Sequence, residues 1–487
     1  MGYLAPMADF SFVWHDYETF GVTPRRDPPA QFAGVRTDAD LNELEPPVLQ
    51  YCRPAPDFLP EPQACLLTGI TPQRCLADGL PEHAFAATIE QQLARPGTVA
   101  AGYNSIRFDA EVTRFLFWRN LIDPYAHEWR DGCGRWDLLD VLRCAWALRP
   151  EGLEWPQRDD GTPSFRLEDF TRANGLAHED AHDALADVRA TLALARLLKR
   201  AQPRLWDFCL RLRRKDAVQH EIDTARRQGQ PLLHVSGRYP ADRGCLALVW
   251  PLAPHPTNRN ELIVWDLAED PSELGRLDAA AVRDRLFVRA DALPEGVRRL
   301  PIKTIHLNRA PIVIANLKTL APAMAARWRL DPALGLRHAD SAARLAPKLA
   351  GLWGEVFARP AAQRRPDVDE DLYGGFLGDA DRRTLERLRG LPPQKLAASR
   401  PSFADARLDE LLLRYRARNY PATLSAPEQE QWRQHRAARL LEGADGRPTL
   451  AAYLEQLAAL EGSADTRGRG VLADLRAYAE AITPAAD

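Results

Sequence analysis

The hydrophobic pattern changes twice along this chain of 487 residues, which limits it to folds with three successive regions. Between residues 10 and 200, short apolar runs alternate with segments of helical period, as in an α/β domain. From Pro231 to about Asn316, short strands separated by Pro, Gly and Asn are typical of a small β-rich domain. After about Pro322 only helical spacing remains, so we expect an all-α region. The predicted domains span residues 10–200, 203–353 and 356–487.

Several individual elements follow from the residue pattern. The run SFVWHDYETFG is apolar and breaks at Gly21, as a buried strand would, and QFAGVRTDADLN and PPVLQYCRP are the next two predicted strands. Helices are predicted in FDAEVTRFLFWRNL, DLLDVLRCAWAL and AHDALADVRATLALARLLKR. The charged segment from Arg200 to Gln230 predicts a linker with some helix, and RPAAQRRPDVDEDLYGG predicts a loop within the last region.

Composition excludes several classes of protein. The net charge of −3 argues against a globally cationic nucleic-acid binder, so any such contact must come from local basic patches. Seven scattered cysteines without CxxC spacing argue against a disulfide scaffold or structural zinc and favour a reducing compartment. The chain has no signal-peptide pattern and no run of 18 apolar residues. We therefore expect a cytoplasmic protein without membrane contact.

Asp16 and Glu18 form the strongest local signal for chemistry. In a strand, side chains two residues apart point to the same face, so these carboxylates lie together while Tyr17 points away. Two carboxylates in an apolar strand repel each other unless a cation lies between them. The alternative is an exposed edge strand that carries acidic residues.

Three further residues are candidates for the same site as Asp16 and Glu18. Asp109 follows an apolar strand near a predicted helix start, where it could also act as a simple cap. His182 and Asp187 are five residues apart, about 140° around one helix, so they share a site only if His182 precedes the helix. Asp183 then fits a structural cap, and a histidine in a loop with no chemical role is the alternative for His182.

The combined order D-x-E, then D, then H-x-x-x-x-D indicates metal chemistry. Acidic oxygen ligands without cysteine suit Mg²⁺ or Mn²⁺ better than zinc. Two such ions about 4 Å apart are the usual means of in-line attack on a phosphodiester. A neutral histidine nearby can take a proton from the attacking water.

The chain resembles the bacterial exonuclease I family, which belongs to the DEDDh 3′–5′ exonucleases. The resemblance covers nearly the whole sequence and lies in the strings FVWHDYETFG, YCRPAPDFLPEP, LLTGITPQ, GYNSIRFDAEVTR, RWDLLDV, ALRPEGLEWP, PSFRLEDFTRANG, HDALADV, HVSGRY and YRARNYPATL. It implies a ribonuclease H-like exonuclease domain, an SH3-like β-rich domain and an all-α C-terminal domain. It also implies processive removal of 5′-mononucleotides from the 3′ end of single-stranded DNA, in repair and recombination.

The resemblance also implies roles for the catalytic residues. Asp16 would bridge two Mg²⁺ ions, for which Mn²⁺ would substitute. Glu18 and Asp187 would hold one ion, and Glu18 could also touch the terminal 3′-hydroxyl. Asp109 would steady the second ion, and His182 would be the general base.

Single-stranded substrates need stacking surfaces and phosphate contacts. By the resemblance, Arg166 holds the strand near the active site. The other candidate substrate-binding residues are Phe165, Arg114, Tyr125, Trp129 and Arg143. Core packing is the alternative for the aromatic residues, and ion pairing is the alternative for the arginines.

The family also implies a protein partner, the acidic C-terminal tail of single-stranded-DNA-binding protein. Arg149 and Phe208 fall at the matching positions, although Gln230 stands where the family commonly has a lysine. The basic and aromatic run RLDELLLRYRARNYPATL fits either a strand-binding cluster or a helix that packs on a neighbour. We expect a monomer.

Two other functions remain open at this stage. A DEDDh nuclease that trims RNA 3′ ends would share all five catalytic residues and differ only in sugar selection. A non-catalytic single-strand-binding scaffold would retain the fold without the chemistry, although it would have no physical reason to keep uncompensated acids.

Overall fold

A computed structural model describes residues 10–177, 183–358 and 366–484, which fold into two compact units. The first unit contains the described residues in 10–134, 183–189 and 366–484. The second contains residues 135–177 and the described residues in 190–358. Among the described residues, no helix is both long enough and apolar enough to cross a membrane.

The N-terminal part of the first unit is built on a mixed β-sheet. Its elements are β1 (Ser11–Thr19), β2 (Pro29–Thr37), β3 (Val48–Tyr51), α1 (Pro62–Thr68), α2 (Pro72–Asp78), α3 (Glu82–Leu93), β4 (Thr98–Gly102) and α4 (Asp109–Arg119). The strands lie in the order β3-β2-β1-β4, with β1 antiparallel to β2 and parallel to β4. Val13 and Tyr17 of β1 pack with Phe85 of α3 and Leu116 of α4. The predicted strands and helices of this stretch are therefore present, with β1 inside the sheet.

The middle of the chain forms a second sheet and the helices that precede and follow it. Its elements are β5 (Gly134–Asp137), α5 (Leu138–Leu148), α6 (Leu167–Ala173), α7 (Ala184–Ala201), α8 (Pro203–Arg211), α9 (Lys215–Arg227), β6 (Leu232–Val235), β7 (Leu246–Pro254), β8 (Glu261–Asp266), α10 (Ala279–Phe287), β9 (Ile302–His306), β10 (Ile312–Ile314), α11 (Pro322–Arg327), α12 (Pro332–Leu345) and α13 (Leu352–Val356). The sheet is antiparallel in the order β10-β6-β7-β8-β9, which matches the expected β-rich domain.

The charged segment that was predicted as a linker is more regular than expected. It contains the two helices α8 and α9. Each helix buries one apolar face, through Trp206 and Leu210 in α8 and through Val218 and Ile222 in α9. The many charges lie on the other faces, so the average polarity concealed two amphipathic helices.

The C-terminal part of the first unit is entirely helical, as predicted. It contains α14 (Asp379–Arg389), α15 (Pro393–Ala398), α16 (Arg407–Asn419), α17 (Ala426–Leu440), α18 (Leu450–Glu461) and α19 (Thr466–Ala481). Tyr453 of α18 and Leu472 of α19 lie in one buried cluster with Phe58 and with Cys65 of α1. The C-terminal helices therefore complete the hydrophobic core of the N-terminal sheet region.

A buried ion network lies between these two parts of the first unit. It consists of three carboxylates and three guanidinium groups, from Asp57, Asp367, Asp369, Arg414, Arg418 and Arg439. Asp57 accepts hydrogen bonds from Arg418 Nη2 at 2.8 Å and from Arg439 Nη1 at 2.7 Å. Arg418 Nη2 also donates to Asp369 Oδ2 at 2.6 Å. These buried acids and arginines balance three against three, while the half-exposed Glu410 also pairs with Arg414 and His435 contacts Asp57 at 3.1 Å.

The basic and aromatic run of α16 contributes its arginines to buried ion pairs. Arg414 and Arg416 are each only 5% exposed, and Arg416 pairs with Glu428. Burial would raise the pKa of Asp57, but Arg418 and Arg439 hold that pKa well below its usual range. The interpretation of this run as a strand-binding cluster is therefore wrong for these arginines, because carboxylates already occupy their donors.

Candidate metal centre

Three carboxylates from two elements converge at the end of the N-terminal sheet. Asp16 and Glu18 of β1 and Asp187 of α7 each contribute one oxygen, and these three oxygens lie within 4.8 Å of one another. Among the described residues, no other group of His, Cys, Asp or Glu side chains meets this spacing. The side chains of this cluster are all partly buried.

The position of β1 explains why its two acids share one face. Asp16 pairs with Ala33 and Glu18 with Gln31 across β2, while Trp14 pairs with Ala101 of β4 on the other side. Tyr17 points to the opposite face and is buried in the core. Since β1 has a neighbour on both sides, the alternative of an exposed edge strand is excluded.

Asp109 is the first residue of α4 and lies beside this group. Its side chain is almost fully buried, and its Oδ1 accepts a hydrogen bond from the backbone N–H of Tyr17 at 3.1 Å. Thr113, one turn later, donates to the Asp109 carbonyl oxygen at 2.9 Å and contacts the Tyr17 hydroxyl at 2.9 Å. These bonds fix the start of α4 against β1, so the carboxyl of Asp109 is held close to Asp16.

The N-terminal end of α7 is held by a cap. Asp183 Oδ1 accepts hydrogen bonds from the backbone N–H groups of Leu185 and Ala186, at 3.1 and 3.2 Å. The Asp183 carbonyl accepts from the N–H of Asp187 at 3.0 Å. Asp183 is thus the cap that the sequence predicted. His182, the predicted general base, lies outside the described residues.

The electrostatics of the cluster favour a cation. Burial raises the pKa of Glu18 to about 8, and the nearby charges of Asp187, Asp109 and Asp183 add to the effect. Burial, followed by Asp109, Glu18 and Asp187, raises the pKa of Asp16 well above its usual range. A divalent cation would remove this repulsion and return the carboxylates to their charged form. An all-oxygen donor set fits Mg²⁺ or Mn²⁺.

Two of the predicted substrate-binding residues lie together in the second unit. The Arg143 guanidinium lies over the Phe165 ring, 5.7 Å from its centre, and also donates to Asp140 at 2.6 Å. Both residues line a groove of about 470 Å³ that also contains Arg158. Arg166 is exposed at the N-cap position of α6. The groove combines cationic groups with an aromatic face, which suits a single strand.

Arg114 is more enclosed than a surface phosphate contact would be. Its side chain is only 5% exposed and donates to both carboxylate oxygens of Glu128, at 2.7 and 2.8 Å. A third hydrogen bond reaches Glu111 at 2.8 Å. A phosphate would have to compete with these two carboxylates, so the phosphate contact of Arg114 stays a prediction.

Aromatic side chains surround Arg114. Tyr125 lies under the guanidinium at 5.1 Å, and the ring of Phe376 lies 5.9 Å from that of Tyr125. Tyr373 accepts a hydrogen bond from Arg114 Nη1 at 3.1 Å. Phe376 is 86% exposed. We call Tyr125, Tyr373 and Phe376 the aromatic cluster.

Sequence analysis did not find two members of the aromatic cluster. Tyr373 lies within the predicted loop RPAAQRRPDVDEDLYGG and Phe376 directly follows it, where no strand or helix period singles them out. The available signal was the presence of large aromatic residues around a Gly-Gly pair in a polar loop. Trp129, which was predicted, is 64% exposed, and Arg130 lies over its ring at 5.8 Å.

The residues proposed for a protein partner lie in the second unit. Arg149 follows α5 and donates from Nη1 to the Thr319 carbonyl at 3.0 Å. Phe208 is half-buried on α8, with Arg211 over its ring at 5.1 Å. Gln230 precedes β6 and is half-buried. The partner contact of Arg149 and Phe208 stays a prediction.

Comparisons with known families cover most of the chain. The family described as "Exonuclease" matches residues 13–195, the Exonuclease I SH3-like domain matches residues 213–359, and the Exonuclease I C-terminal domain matches residues 366–482. Exodeoxyribonuclease I of Escherichia coli strain K12 is 46% identical over 427 residues, which cover 88% of this chain and 89% of that protein.

Solved structures agree over nearly the full length. Exonuclease I from Methylocaldum szegediense is 49% identical with a TM-score of 0.90, covering 97% of this chain and 99% of that one. The zinc-bound form of the E. coli exonuclease I complex with single-stranded DNA is 42% identical with a TM-score of 0.88, covering 98% of this chain and 100% of that one. The fold class predicted from the sequence is therefore confirmed. The acidic cluster lies on a chain that belongs to the exonuclease I family.

Proposed function

We propose that this protein is a Mg²⁺-dependent exodeoxyribonuclease that degrades single-stranded DNA from the 3′ end and releases 5′-mononucleotides. One observation carries the proposal: the oxygens of Asp16, Glu18 and Asp187 lie within 4.8 Å of one another. Phosphodiester hydrolysis at neutral pH needs an activated water and a group that stabilises the leaving oxygen. Two Mg²⁺ ions would supply both, and Mn²⁺ would substitute for them.

Each acidic residue of the centre is assigned to one or to both of the metal ions. Asp16 interacts electrostatically with Asp109, Glu18 and Asp187 and is the residue we assign to both ions. Glu18 and Asp187 would hold one ion, with Glu18 also near the terminal 3′-hydroxyl. Asp109, whose carboxyl is oriented by the Tyr17 N–H, would hold the other ion.

His182 is the residue we assign as general base. Its place in the sequence, directly before the capping residue Asp183, supports this role. An unperturbed imidazole is neutral for the most part at pH 7 and can accept a proton from water.

The substrate contacts are consistent with a flexible, unpaired strand. Phe165 with Arg143, and separately the aromatic cluster with Trp129, offer faces on which bases can stack. Arg166 would contact the backbone of the strand near its 3′ end. Such contacts tolerate every base, as a degradative nuclease requires.

The wider setting follows from the family. We propose a role in DNA repair and recombination in the cytoplasm, acting as a monomer. A contact with the acidic tail of single-stranded-DNA-binding protein through Arg149 and Phe208 would direct the enzyme to its substrate. The Arg211 guanidinium over Phe208 supports an acidic partner at this point.

The test compares six substrates of one sequence: single-stranded DNA, double-stranded DNA and single-stranded RNA, each labelled at the 3′ or the 5′ end. With Mg²⁺, single-stranded DNA should lose its 3′ label at once as mononucleotide, whereas the 5′ label should stay on products that shorten with time. Chelator should stop the reaction. Faster loss of RNA would favour an exoribonuclease, and binding without cleavage would favour a scaffold.

Two variants complete the test. Asp16→Asn should abolish cleavage and leave strand binding largely intact, because it removes the negative charge and one of the two ligating oxygens without changing the shape of the side chain. Asp78→Asn, at the exposed end of α2, serves as the matched control and should cleave normally. Wild-type cleavage by Asp16→Asn would contradict the assignment.

A further inference from the structure

Gln31 is a fully buried amide that lies between the strand and the helix of the metal centre. It belongs to β2, pairs with Glu18 across the sheet, and has no exposed surface. Its Oε1 accepts a hydrogen bond from the backbone N–H of Ala184 at 3.2 Å. Its Nε2 is oriented towards Asp183 Oδ2 at 3.5 Å. One side chain therefore contacts both the cap and the first residue of α7.

These contacts complete the hydrogen bonding at the start of α7. The first N–H groups of any helix lack partners within the helix. Here Gln31 accepts from Ala184, while the Asp183 carboxylate accepts from Leu185 and Ala186. Because Ala184 is fully buried, water cannot replace the amide oxygen. The position of the first turn of α7 thus depends on Gln31.

The helix needs such a restraint because its ligand is repelled. Asp187 lies less than one turn from Ala184, and its carboxylate approaches those of Asp16 and Glu18 to within 4.8 Å. Unless a cation or protons neutralise them, these carboxylates push α7 away from β1. A neutral amide that both donates and accepts holds the helix without adding charge to the cluster.

We propose that Gln31 is a positioning residue for the metal centre: it fixes the first turn of α7 so that Asp187 is preorganised beside Glu18 for the cation. The inference rests on the proposed metal centre and adds a determinant outside the set of ligands. Residues that orient metal ligands typically contribute 10- to 100-fold to metal affinity or activity, by the general behaviour of such partners.

The test measures Mn²⁺ binding directly, without DNA. Gln31→Met keeps the length of the side chain and removes the hydrogen bonds to Ala184 and Asp183, together with that to the Tyr51 hydroxyl. Gln50→Met is the matched control, because Gln50 lies on the neighbouring strand β3 and its amide donates to the Tyr51 carbonyl oxygen at 3.3 Å. Electron paramagnetic resonance of free Mn²⁺ gives the dissociation constant of each protein, and thermal unfolding reports whether each variant is folded.

We expect Gln31→Met to weaken Mn²⁺ binding by about 10- to 100-fold while Gln50→Met binds as the wild type does. The Mg²⁺ concentration for half-maximal cleavage should rise in parallel, and kcat at saturating Mg²⁺ should recover most of its wild-type value. A folded Gln31→Met protein with unchanged Mn²⁺ affinity would overturn the proposal, as would a kcat that added metal does not restore.

Further outcomes separate this inference from the proposed function. If Gln31→Met does not fold, Gln31→Asn replaces it, since that amide is one carbon–carbon bond too short to reach both Ala184 and Asp183. Its metal affinity should fall in the same way, and an unchanged affinity would overturn the proposal. A wild-type protein that binds Mn²⁺ but cleaves no DNA would refute the proposed function, while a loss of affinity in Gln31→Met would still support the role of Gln31. A wild-type protein that binds no Mn²⁺ would overturn both.

Discussion

Replacing Asp57 by asparagine should destabilise the first unit strongly, because Asp57 is one of three carboxylates that balance three buried arginines. The variant keeps the shape of the side chain but leaves three cations against two anions. Arg418 would still pair with Asp369, and Arg439 with Asp367 and Asp369. Within the buried part of the network one positive charge is left uncompensated, since the remaining carboxylate, Glu410 on Arg414, is half-exposed. Breaking a buried pair in this way costs about 3–5 kcal/mol.

A double variant tests whether the loss of stability comes from the uncompensated charge and not from the loss of one hydrogen bond. The double variant Asp57→Asn with Arg439→Met restores two cations against two anions. Its loss of stability should therefore be smaller than the sum of the two single losses, by about 0.5–3 kcal/mol of coupling. Asp216→Asn, which breaks an exposed pair with Arg214, is the control and should change stability by less than about 0.5 kcal/mol.

Urea unfolding followed by circular dichroism measures these differences, with the slope of the transition checked in each variant. A loss below about 1 kcal/mol in Asp57→Asn would show that the network does not need its charge balance, since typical uncompensated charges cost more. Strict additivity in the double variant would refute the reasoning as well.

Three other outcomes are expected. The carboxyls of Asp57 and Asp369 have folded-state pKa values well below the usual range, because Arg418 and its neighbours outweigh burial. Their stabilisation is complete above the unfolded pKa of about 3.9 and is lost as the pH falls through the lower folded values, so the stability difference between the wild type and Asp57→Asn should be constant above about pH 5 and shrink below about pH 4. A difference that begins to shrink near pH 6 would contradict this. Phe376→Ala should weaken single-strand binding by about 1–3 kcal/mol in fluorescence anisotropy without lowering the Tm, since the ring is 86% exposed; equal affinity would remove it from the binding surface. His182→Ala should slow single-turnover cleavage by about 10²–10⁴-fold with Mn²⁺ binding retained, and a near-normal rate would exclude it as the base.

The two acidic residues of β1 could be predicted from the sequence because they occupy alternate positions of an apolar strand, which places their side chains on one face. Asp16 and Glu18 alternate with Tyr17 inside an apolar run, and the structure places them on one face of a central strand. Asp109 and Asp187 were weaker signals, since a first-turn acid has an ordinary structural explanation at each helix start. They could be identified as candidate ligands only because they complete the order D-x-E, D, H-x-x-x-x-D of the family.

Other features had no local signature. Gln31 is one polar residue in an apolar strand, and its meaning depends on a helix that begins about 150 residues later. The arginines of α16 look like a nucleic-acid surface until Asp57 and Asp369, which are distant in sequence, are placed beside them. Long-range pairing of this kind cannot be inferred from spacing alone, because the partners are defined by the fold.

The shared core of the first unit affects how the protein is made. The apolar surface around Phe58 and Cys65 is covered by residues of α18 and α19, which leave the ribosome more than 380 residues later. Nascent chains fold as segments become available, so the sheet region stays incomplete through most of translation. Chaperone binding during synthesis, and poor solubility of fragments that lack α18 and α19, are expected because the nuclease core is closed by helices that are translated so much later than its sheet.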